Sequence, residues 1–548
     1  MEKLVSLAKG LPLLATCVLG LATLPAKPLD LTTPVQQRIA IKGKNAMSIG
    51  WSTYEEPIRV CVSYGTSADT LNMVQCSTDS ETYSTSRTFL NTVTLSNLTP
   101  ATTYYYRIMS TNSTVEHFFS PRVPGDKTPF SVNAVVDLGV YGADGFTISM
   151  DETRRDEIPY IQPALNHTTI GAMAATVDDY ELVLHPGDLA YADDWVCGYT
   201  SDWLPQCSVN SLLHSVNSFW EAIRKFPHII KSLWYIAEDL LGGSHAENSG
   251  SDAFHAILET FYDQLAPIAA RKPYMVGPGN HEATCSEALA YARLGERVCP
   301  EGQKNFTDFR MRFGPTMPTA FPSMSDDKWA RACAYRAAEL ANPPFWYSFE
   351  YGMVHFVMID TETDFPSAPD EDYPLYSGPF GAQDYQQLAF LENDLKSVDR
   401  TVTPWVVVSG HRPWYTTGDV SQACEPCQAA FERLLYKYGV DLAIFGHVHN
   451  AQRHQPVYAG EIDPNGLDDP KAPMYIVTGG AGNVEGLAEV GDKPNYTAFA
   501  YADDFSYGKV SFLDANRLQV DFVRSATGET LDSSVLYKSH KEQSVVQS

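Results

Sequence analysis

Residues 182–191 read LVLHPGDLAY: a short apolar run, a Pro-Gly break, an aspartate and, three residues on, a tyrosine. Four other stretches end in a glycine followed or preceded closely by a ligand-type residue: VNAVVDLG at 132–139, YMVGPGNHE at 274–282, WVVVSGH at 405–411 and LAIFGHVH at 442–449. Apolar, β-branched runs of this length look like buried parallel strands. In an open α/β sheet, ligand-binding groups gather just beyond the carboxyl ends of the strands. The runs are therefore expected to bring Asp137, Asp188, Tyr191, Asn280, His411, His447 and His449 to one place. Such a set is a metal site, and its size points to two ions.

The donors fall into two chemical kinds. Carboxylates and a phenolate suit a hard trivalent ion such as Fe(III), whereas imidazole and amide oxygen suit Zn(II), Fe(II) or Mn(II). A two-metal pair about 3.5–4 Å apart needs a bridging group, which a carboxylate supplies. His447 and His449 are two positions apart, so in an extended segment they leave on the same side with Cα atoms roughly 7 Å apart. Each imidazole can then reach a different ion. Asp188 and Tyr191, three apart in a turn, can converge on one. Taken singly, a buried aspartate after a strand is an N-cap and a lone tyrosine belongs to the core; the set argues for ligation. His117, His185, His255 and His355 read as satisfied structural histidines.

Outside these blocks the chain of 548 residues is long enough for more than one domain. Residues 34–120 carry short alternating strands at 46–52, 58–64, 89–95 and 103–109. The stretch LSNLTPATTYYYRI looks like a tyrosine corner of a fibronectin III-like sandwich. The Pro- and Gly-rich segment 121–129 reads as a linker. From residue 130 to about 540, strand-like runs alternate with helical patterns such as 382–398, which suggests βαβ units. An insert at 197–252 has a helical apolar face at 219–241, read as a flap over the domain. Strand-like runs at 508–513 and 518–523 come before a turn at 525–530 and a last strand.

The formal charge of −27 argues against nucleic-acid or anionic-membrane partners. Lys3 and Lys9, an apolar stretch 11–24 and small residues at Ala22 and Ala26 have the layout of a secretory signal peptide over residues 1–26. That stretch is too short to span a bilayer comfortably, and with no other long apolar segment the mature chain is expected to be soluble. Asn112, Asn166, Asn305 and Asn495 sit in N-x-S/T sequons, as does Asn97, where Pro100 disfavours modification. Of ten cysteines, Cys17 lies in the leader. Disulfides are expected for Cys61 with Cys76, Cys197 with Cys207 and Cys424 with Cys427, and Cys285, Cys299 and Cys333 supply one more bridge and one free thiol.

The five blocks, in this order, resemble the calcineurin-like metallophosphoesterases, and the tyrosine of GDLAY narrows the likeness to purple acid phosphatases. The N-terminal sandwich resembles that of the large plant and fungal enzymes. The implied fold is an α/β metallophosphoesterase βαβ sandwich preceded by an all-β fibronectin III-like domain. The resemblance further implies Fe(III) held by Asp137, Asp188, Tyr191 and His449, with Asp188 bridging to a divalent ion (Zn, Fe(II) or Mn) on Asn280, His411 and His447. It makes His281 the residue that binds phosphate beside Asn280 and protonates the leaving alkoxide, with a metal-bound hydroxide as nucleophile. Two departures stand out. Val136 occupies the place of the family's leading glycine in GDxG. Residues 412–421, RPWYTTGDVS, also lack the substrate-pocket histidines of the plant enzymes.

The function expected is a secreted, extracellular or cell-wall-associated acid phosphatase acting on small phosphate monoesters, without nucleic-acid or membrane partners. Phytase and phosphodiesterase or pyrophosphatase action on the same scaffold are the alternatives within enzymes. A non-catalytic secreted binding protein would show eroded ligands, and none is missing.

Overall fold

The computed structural model describes residues 24–141, 168–193, 245–283, 299–319, 325–370, 378–418 and 422–540. The N-terminal module is built from β1 (Val35–Gly43), β2 (Ala46–Thr53), β3 (Val60–Gly65), β4 (Met73–Ser77), β5 (Ser80–Glu81), β6 (Phe89–Leu95), β7 (Thr103–Ile108) and β8 (Glu116–Phe119). They form two antiparallel sheets, ordered β1-β2-β6-β5 and β4-β3-β7-β8. Alternation along β7 explains the packing: Tyr104, Tyr106 and Ile108 are buried while Thr103 and Arg107 face out. The inward residues meet Trp51 and Phe118 in the core. Tyr104 Oη accepts a hydrogen bond from the Thr99 N–H at 3.0 Å, the contact expected of a tyrosine corner. Cys61 and Cys76 are directly opposed on β3 and β4 and joined by a disulfide.

The second module contains β9 (Phe130–Ala134), β10 (Leu182–Pro186), β11 (Tyr274–Gly277), β12 (Tyr347–Tyr351), β13 (Val354–Met358), β14 (Trp405–Ser409) and β15 (Leu442–Phe445). It continues with β16 (Ala451–His454), the small hairpin β17 (Val457–Tyr458) and β18 (Glu461–Ile462), then β19 (Met474–Thr478), β20 (Thr497–Tyr501), β21 (Ser506–Phe512), β22 (Arg517–Arg524) and β23 (Thr530–Tyr537). Two mixed sheets result, ordered β11-β10-β9-β21-β22-β23 and β12-β13-β14-β15-β19-β16-β20. The five ligand-bearing strands are thus divided: β9, β10 and β11 run parallel in one sheet, and β14 and β15 run parallel in the other. The sheets meet through aromatic side chains, with the Phe512 ring 5.9 Å from Phe356 and the Phe130 ring 5.1 Å from Tyr351. The helix Gln386–Ser397 crosses from β13 to β14 as the periodicity predicted, burying Phe390, Leu391 and Leu395.

A long helix, His245–Ala269, buries Phe254, Ile257, Phe261, Leu265 and Ile268. Their spacing of three to four residues makes one apolar face, and the helix contacts β1 of the first module. Within the expected insert, residues 197–244 and the helical face at 219–241 lie outside the described residues, while 245–252 open this helix.

The modules are docked through buried polar contacts. Arg312 pairs with Asp308 at 3.0 Å and donates to Gln36 Oε1 at 3.1 Å and Ser52 Oγ at 3.2 Å. Tyr106 Oη donates to the Ala270 carbonyl at 2.8 Å. The segment 121–129, expected to be a plain linker, is fixed in place: Arg122 binds Glu181 at 2.6 Å and the Gly125 N–H donates to the Gly352 carbonyl at 2.8 Å. A disulfide joins Cys424 to Cys427, Cys299 is disulfide-bonded, and Cys333 is the free thiol among the described residues. The expected pair of Cys197 and Cys207 lies outside them, as does Asn166. Asn112 and Asn495 are exposed, and Asn305 is half-buried.

Candidate metal centre

Each donor leaves the backbone just after a strand, at a sharp turn. Asp137, Asp188, Tyr191 and His447 all have positive φ, at 60°, 51°, 54° and 66°. For residues with a Cβ this conformation costs about 1 kcal/mol or more each and persists where surrounding contacts enforce it. Those contacts are visible. A Cβ on Gly279 would lie 2.2 Å from Asp188 Oδ1, and one on Gly446 or Gly479 would lie 2.6 Å from Asp137 Oδ2. Only bare backbone leaves space for the two carboxylates. Gly446 also makes room for Val136: a Cβ there would sit 2.1 Å from Val136 Cγ1. The departure from GDxG is thus accommodated while Asp137 keeps its place.

The side-chain tips converge. Tyr191 Oη lies 2.9 Å from Asp137 Oδ1, 2.9 Å from His449 Nε2 and 3.3 Å from Asp188 Oδ2. His411 Nε2 lies 3.0 Å from Asp188 Oδ2 and 2.9 Å from Asn280 Oδ1. Donor atoms of Asp188, His411 and His447 all lie within 4.8 Å of one another. Asp188 therefore belongs to both groups. All seven side chains predicted as ligands are brought together.

The donor chemistry fits cations. His411 Nδ1 faces the Pro186 carbonyl at 3.3 Å, so in the neutral ring that nitrogen carries the proton and Nε2 presents its lone pair. In that state Nε2 would face two acceptor oxygens, an arrangement that a proton on Nε2 or a bound cation resolves. Charge tells the same story. Burial, reinforced by Asp188, pushes the Asp137 carboxyl well above its ordinary range despite His411 beside it. Burial opposes the charge on Asp188, but His411 and His281 outweigh it and hold that carboxyl well below. His411 is itself pushed up to about 9, because Asp188 overcomes the effect of burial. These shifts share one source: Asp137 and Asp188 are crowded into a buried site with His411 as the neighbouring positive group. Burial, with Asp137 and Asp188 alongside, drives the Tyr191 phenol well above its usual value, so a phenolate there requires a strongly charged cation.

His281 stands beside these donors. Its N–H donates to Asp188 Oδ1 at 2.8 Å, and its ring centroid lies 4.1 Å from that of Tyr191. Its Nδ1 is 3.0 Å from both oxygens of Asp193, and its Nε2 is 4.0 Å from Glu485 Oε1. The donors open into a cavity of about 270 Å³ whose rim includes Gln422, Glu485 and Leu487.

Sequence reasoning missed several residues of the site. Asp193, five residues after Asp188, had a signal in the repeated acid of DLAYAD. Glu282, the last residue of NHE, accepts N–H groups from Asp188 and Leu189 at 2.8 Å and from Gly279 at 2.9 Å. Glu485 comes from the loop after β19 and carried no local signal.

Known proteins resemble this chain along its whole length. The purple acid phosphatase N-terminal domain matches residues 34–122, calcineurin-like phosphoesterase matches 211–451, and iron/zinc purple acid phosphatase-like protein C matches 472–533. The chain is 55% identical to acid phosphatase A of Cryphonectria parasitica over 100% of both chains. It is 29% identical to an acid phosphatase of Aspergillus ficuum, covering 82% of this chain and 76% of that one. Among solved structures, purple acid phosphatase PPD1 from yellow lupin seeds aligns over 92% of this chain and 75% of its own, with TM-score 0.59 and 21% identity, a likeness of fold.

Proposed function

Since the chain belongs to the purple acid phosphatase family and is an acid phosphatase hydrolysing phosphate monoesters, we propose that its seven convergent donors hold an Fe(III) and a divalent ion, Zn, Fe(II) or Mn. The family implies a dimetal centre. Asp137, Tyr191 and His449 would hold the trivalent ion, Asn280, His411 and His447 the divalent one, and Asp188 both. The observation that carries the assignment is the position of Asp188 Oδ2, 3.3 Å from Tyr191 Oη and 3.0 Å from His411 Nε2. One carboxylate joins the two donor sets.

When bound, the cations supply Lewis acidity: they activate water near neutral pH and offset charge on the phosphoryl oxygens. The protein's own groups do the rest. Asn280 and His281 line the cavity where the phosphoryl group would sit. His281 donates a hydrogen bond to the ester oxygen and hands it a proton as the alkoxide leaves. Asp193, bound to Nδ1, fixes the ring so that Nε2 faces the cavity. With no histidine in residues 412–421, that proton transfer rests on His281.

Residues 1–26 are proposed as a signal peptide, 34–120 as a sandwich that buttresses the catalytic module, and 130–540 as that module. Export to the cell exterior or wall accords with the sequons at Asn112, Asn166, Asn305 and Asn495. Among the described residues no helix is long and apolar enough to cross a membrane. The test is elemental analysis of the secreted protein together with turnover of p-nitrophenyl phosphate, bis(p-nitrophenyl) phosphate and inositol hexakisphosphate. Two metals per chain and preference for the simple monoester are expected. A metal-free active enzyme would overturn the centre, and faster turnover of the diester or of the inositol phosphate would overturn the substrate assignment.

A further inference from the structure

The sheet β4-β3-β7-β8 turns one face to the sandwich core and leaves the other beside the loop that follows β7. On that outer face Ser63 lies in register with Val74 on one side and Arg107 on the other. Val74 is 55% exposed, Met109 51% and Ile58 fully. These three line one groove of about 810 Å³. Apolar side chains scattered singly over a surface are ordinary, but three in one groove make a patch that marks an occupant. Arg59, Arg107 and the hydroxyl-bearing Thr32, Ser63 and Thr111 stand among them. Carbon surface interleaved with hydroxyls and N–H donors suits a sugar, which offers an apolar C–H face and a polar edge.

The wall of the groove supplies that sugar's attachment point. Asn112 lines the same groove, and with Ser113 and Thr114 it forms a sequon. It is exposed at a turn, with φ of 58°, and its Nδ2 donates to Thr33 Oγ1 at 3.3 Å. That contact uses one of the amide's two hydrogens and leaves the other free for substitution. We propose that Asn112 is glycosylated and that the first sugars of its glycan lie in this groove, over Ile58, Val74 and Met109. Transfer from a lipid diphosphate-linked oligosaccharide joins the anomeric carbon of N-acetylglucosamine to Nδ2; the amide loses one proton to solvent and the lipid diphosphate departs. Grooves of about 300–1,000 Å³ hold ligands of drug-like size, which two sugar rings match. Tethering decides between this occupant and a free one. A covalently attached ligand acts at an effective concentration of order millimolar, so a few weak contacts seat it, whereas a free partner must offset its lost translational freedom. A second copy would also set one chain of net charge −27 against another. The inference rests on the export reading above and is independent of the metal centre.

The test uses the full-length enzyme secreted from a glycosylating eukaryotic host. Glycopeptide mapping gives the occupancy of Asn112 and of Asn495, an exposed sequon that does not line this groove. An endoglycosidase that cuts between the first two sugars is then applied to the native protein. Release from Asn112 should be about 10-fold or more slower than from Asn495, the factor that roughly 1.4 kcal/mol of seating gives, and the two rates should match after denaturation. The double variant Ile58→Ser, Met109→Ser alters exposed side chains and should lose the protection. Asn112→Gln should keep kcat and bind a hydrophobic dye more strongly than wild type does, while Asn495→Gln should not. Should Asn112→Gln fail to be secreted, the release rates in wild type and in the double variant decide alone. Equal native release at the two asparagines overturns the proposal, as does protection that survives in the double variant. A wild-type dimer with bare Asn112 overturns it in favour of a second copy as the occupant. Sugar on none of Asn112, Asn305 and Asn495 would sink the export reading with it, whereas sugar on Asn495 and none on Asn112 sinks only this inference.

Discussion

Asp193 sets both carboxylate oxygens 3.0 Å from Nδ1 of His281. A carboxylate in that position selects the tautomer and stabilises the imidazolium. Asp193→Asn should therefore lower kcat by about 100-fold, within the range for general acid catalysis, while metal content stays at the wild-type level. The loss should be larger for an alkyl phosphate, whose leaving group needs a proton, than for p-nitrophenyl phosphate, which departs unaided. Equal losses on both substrates would remove the proton-delivery role.

Glu282 accepts three backbone N–H groups, two of them from residues 188 and 189. It is half-buried, and desolvation, with the charge of Asp188 beside it, pushes its carboxyl up to about 8. A glutamine has the same shape but one acceptor oxygen, so at least one of those N–H groups would face an NH₂. A donor left unsatisfied away from solvent costs about 1–3 kcal/mol, and less where water can reach it. The strained turn at Asp188 should loosen, and Glu282→Gln should bind metal about 10- to 100-fold more weakly, as outer-shell partners generally do when altered. Metal retained after dialysis against a chelator is the readout; retention equal to wild type would contradict the argument.

What the sequence made legible, and what it hid, follows from how local each signal was. The donors Asp137, Asp188, Asn280, His411 and His447 could be read because each follows a run buried on both faces, where apolar residues are continuous and the break is abrupt. The tyrosine corner was legible because Tyr104 and its partner Thr99 are five residues apart. The division of the five strands between two sheets was not, since the pairing of β9 with β21 joins residues nearly 380 positions apart. Helix His245–Ala269 was missed because polar residues of its first turns mask an apolar face that begins at Phe254. Glu485 reaches the site only because the loop after β19 folds back over it.

Tyr191 touches Asp137, Asp188 and His449, so its loss should be read in colour before it is read in rate. A phenolate bound to Fe(III) gives a visible charge-transfer band, and Tyr191→Phe should abolish that band while leaving the other donors in place. Dialysis against a strong chelator should bleach the wild-type protein and abolish turnover, and Fe(III) with Zn should restore both. A Tyr191→Phe protein that keeps the band at wild-type intensity would remove Tyr191 from the ligand set.

Far from the cavity, His355 on β13 lies between two carboxylates, with Nε2 2.7 Å from Asp394 and Nδ1 3.7 Å from Glu350. Burial alone would lower its pKa, but Asp394 and Glu350 together overcome that and raise it to about 10. The ring is therefore protonated in the folded chain at every pH where the enzyme works. The sign follows from the ordinary histidine value of about 6.5 in the unfolded chain. The pair's contribution is complete below about pH 6.5, declines as pH rises, and is gone once pH passes about 10. His355→Gln leaves Asp394 buried without its cation and should cost on the order of 3 kcal/mol at pH 6, the scale for breaking a buried pair. The gap between wild type and variant in urea unfolding should narrow steadily between pH 6.5 and 10. A gap that holds constant over that range would mean that the imidazolium is not what stabilises this end of the sheet.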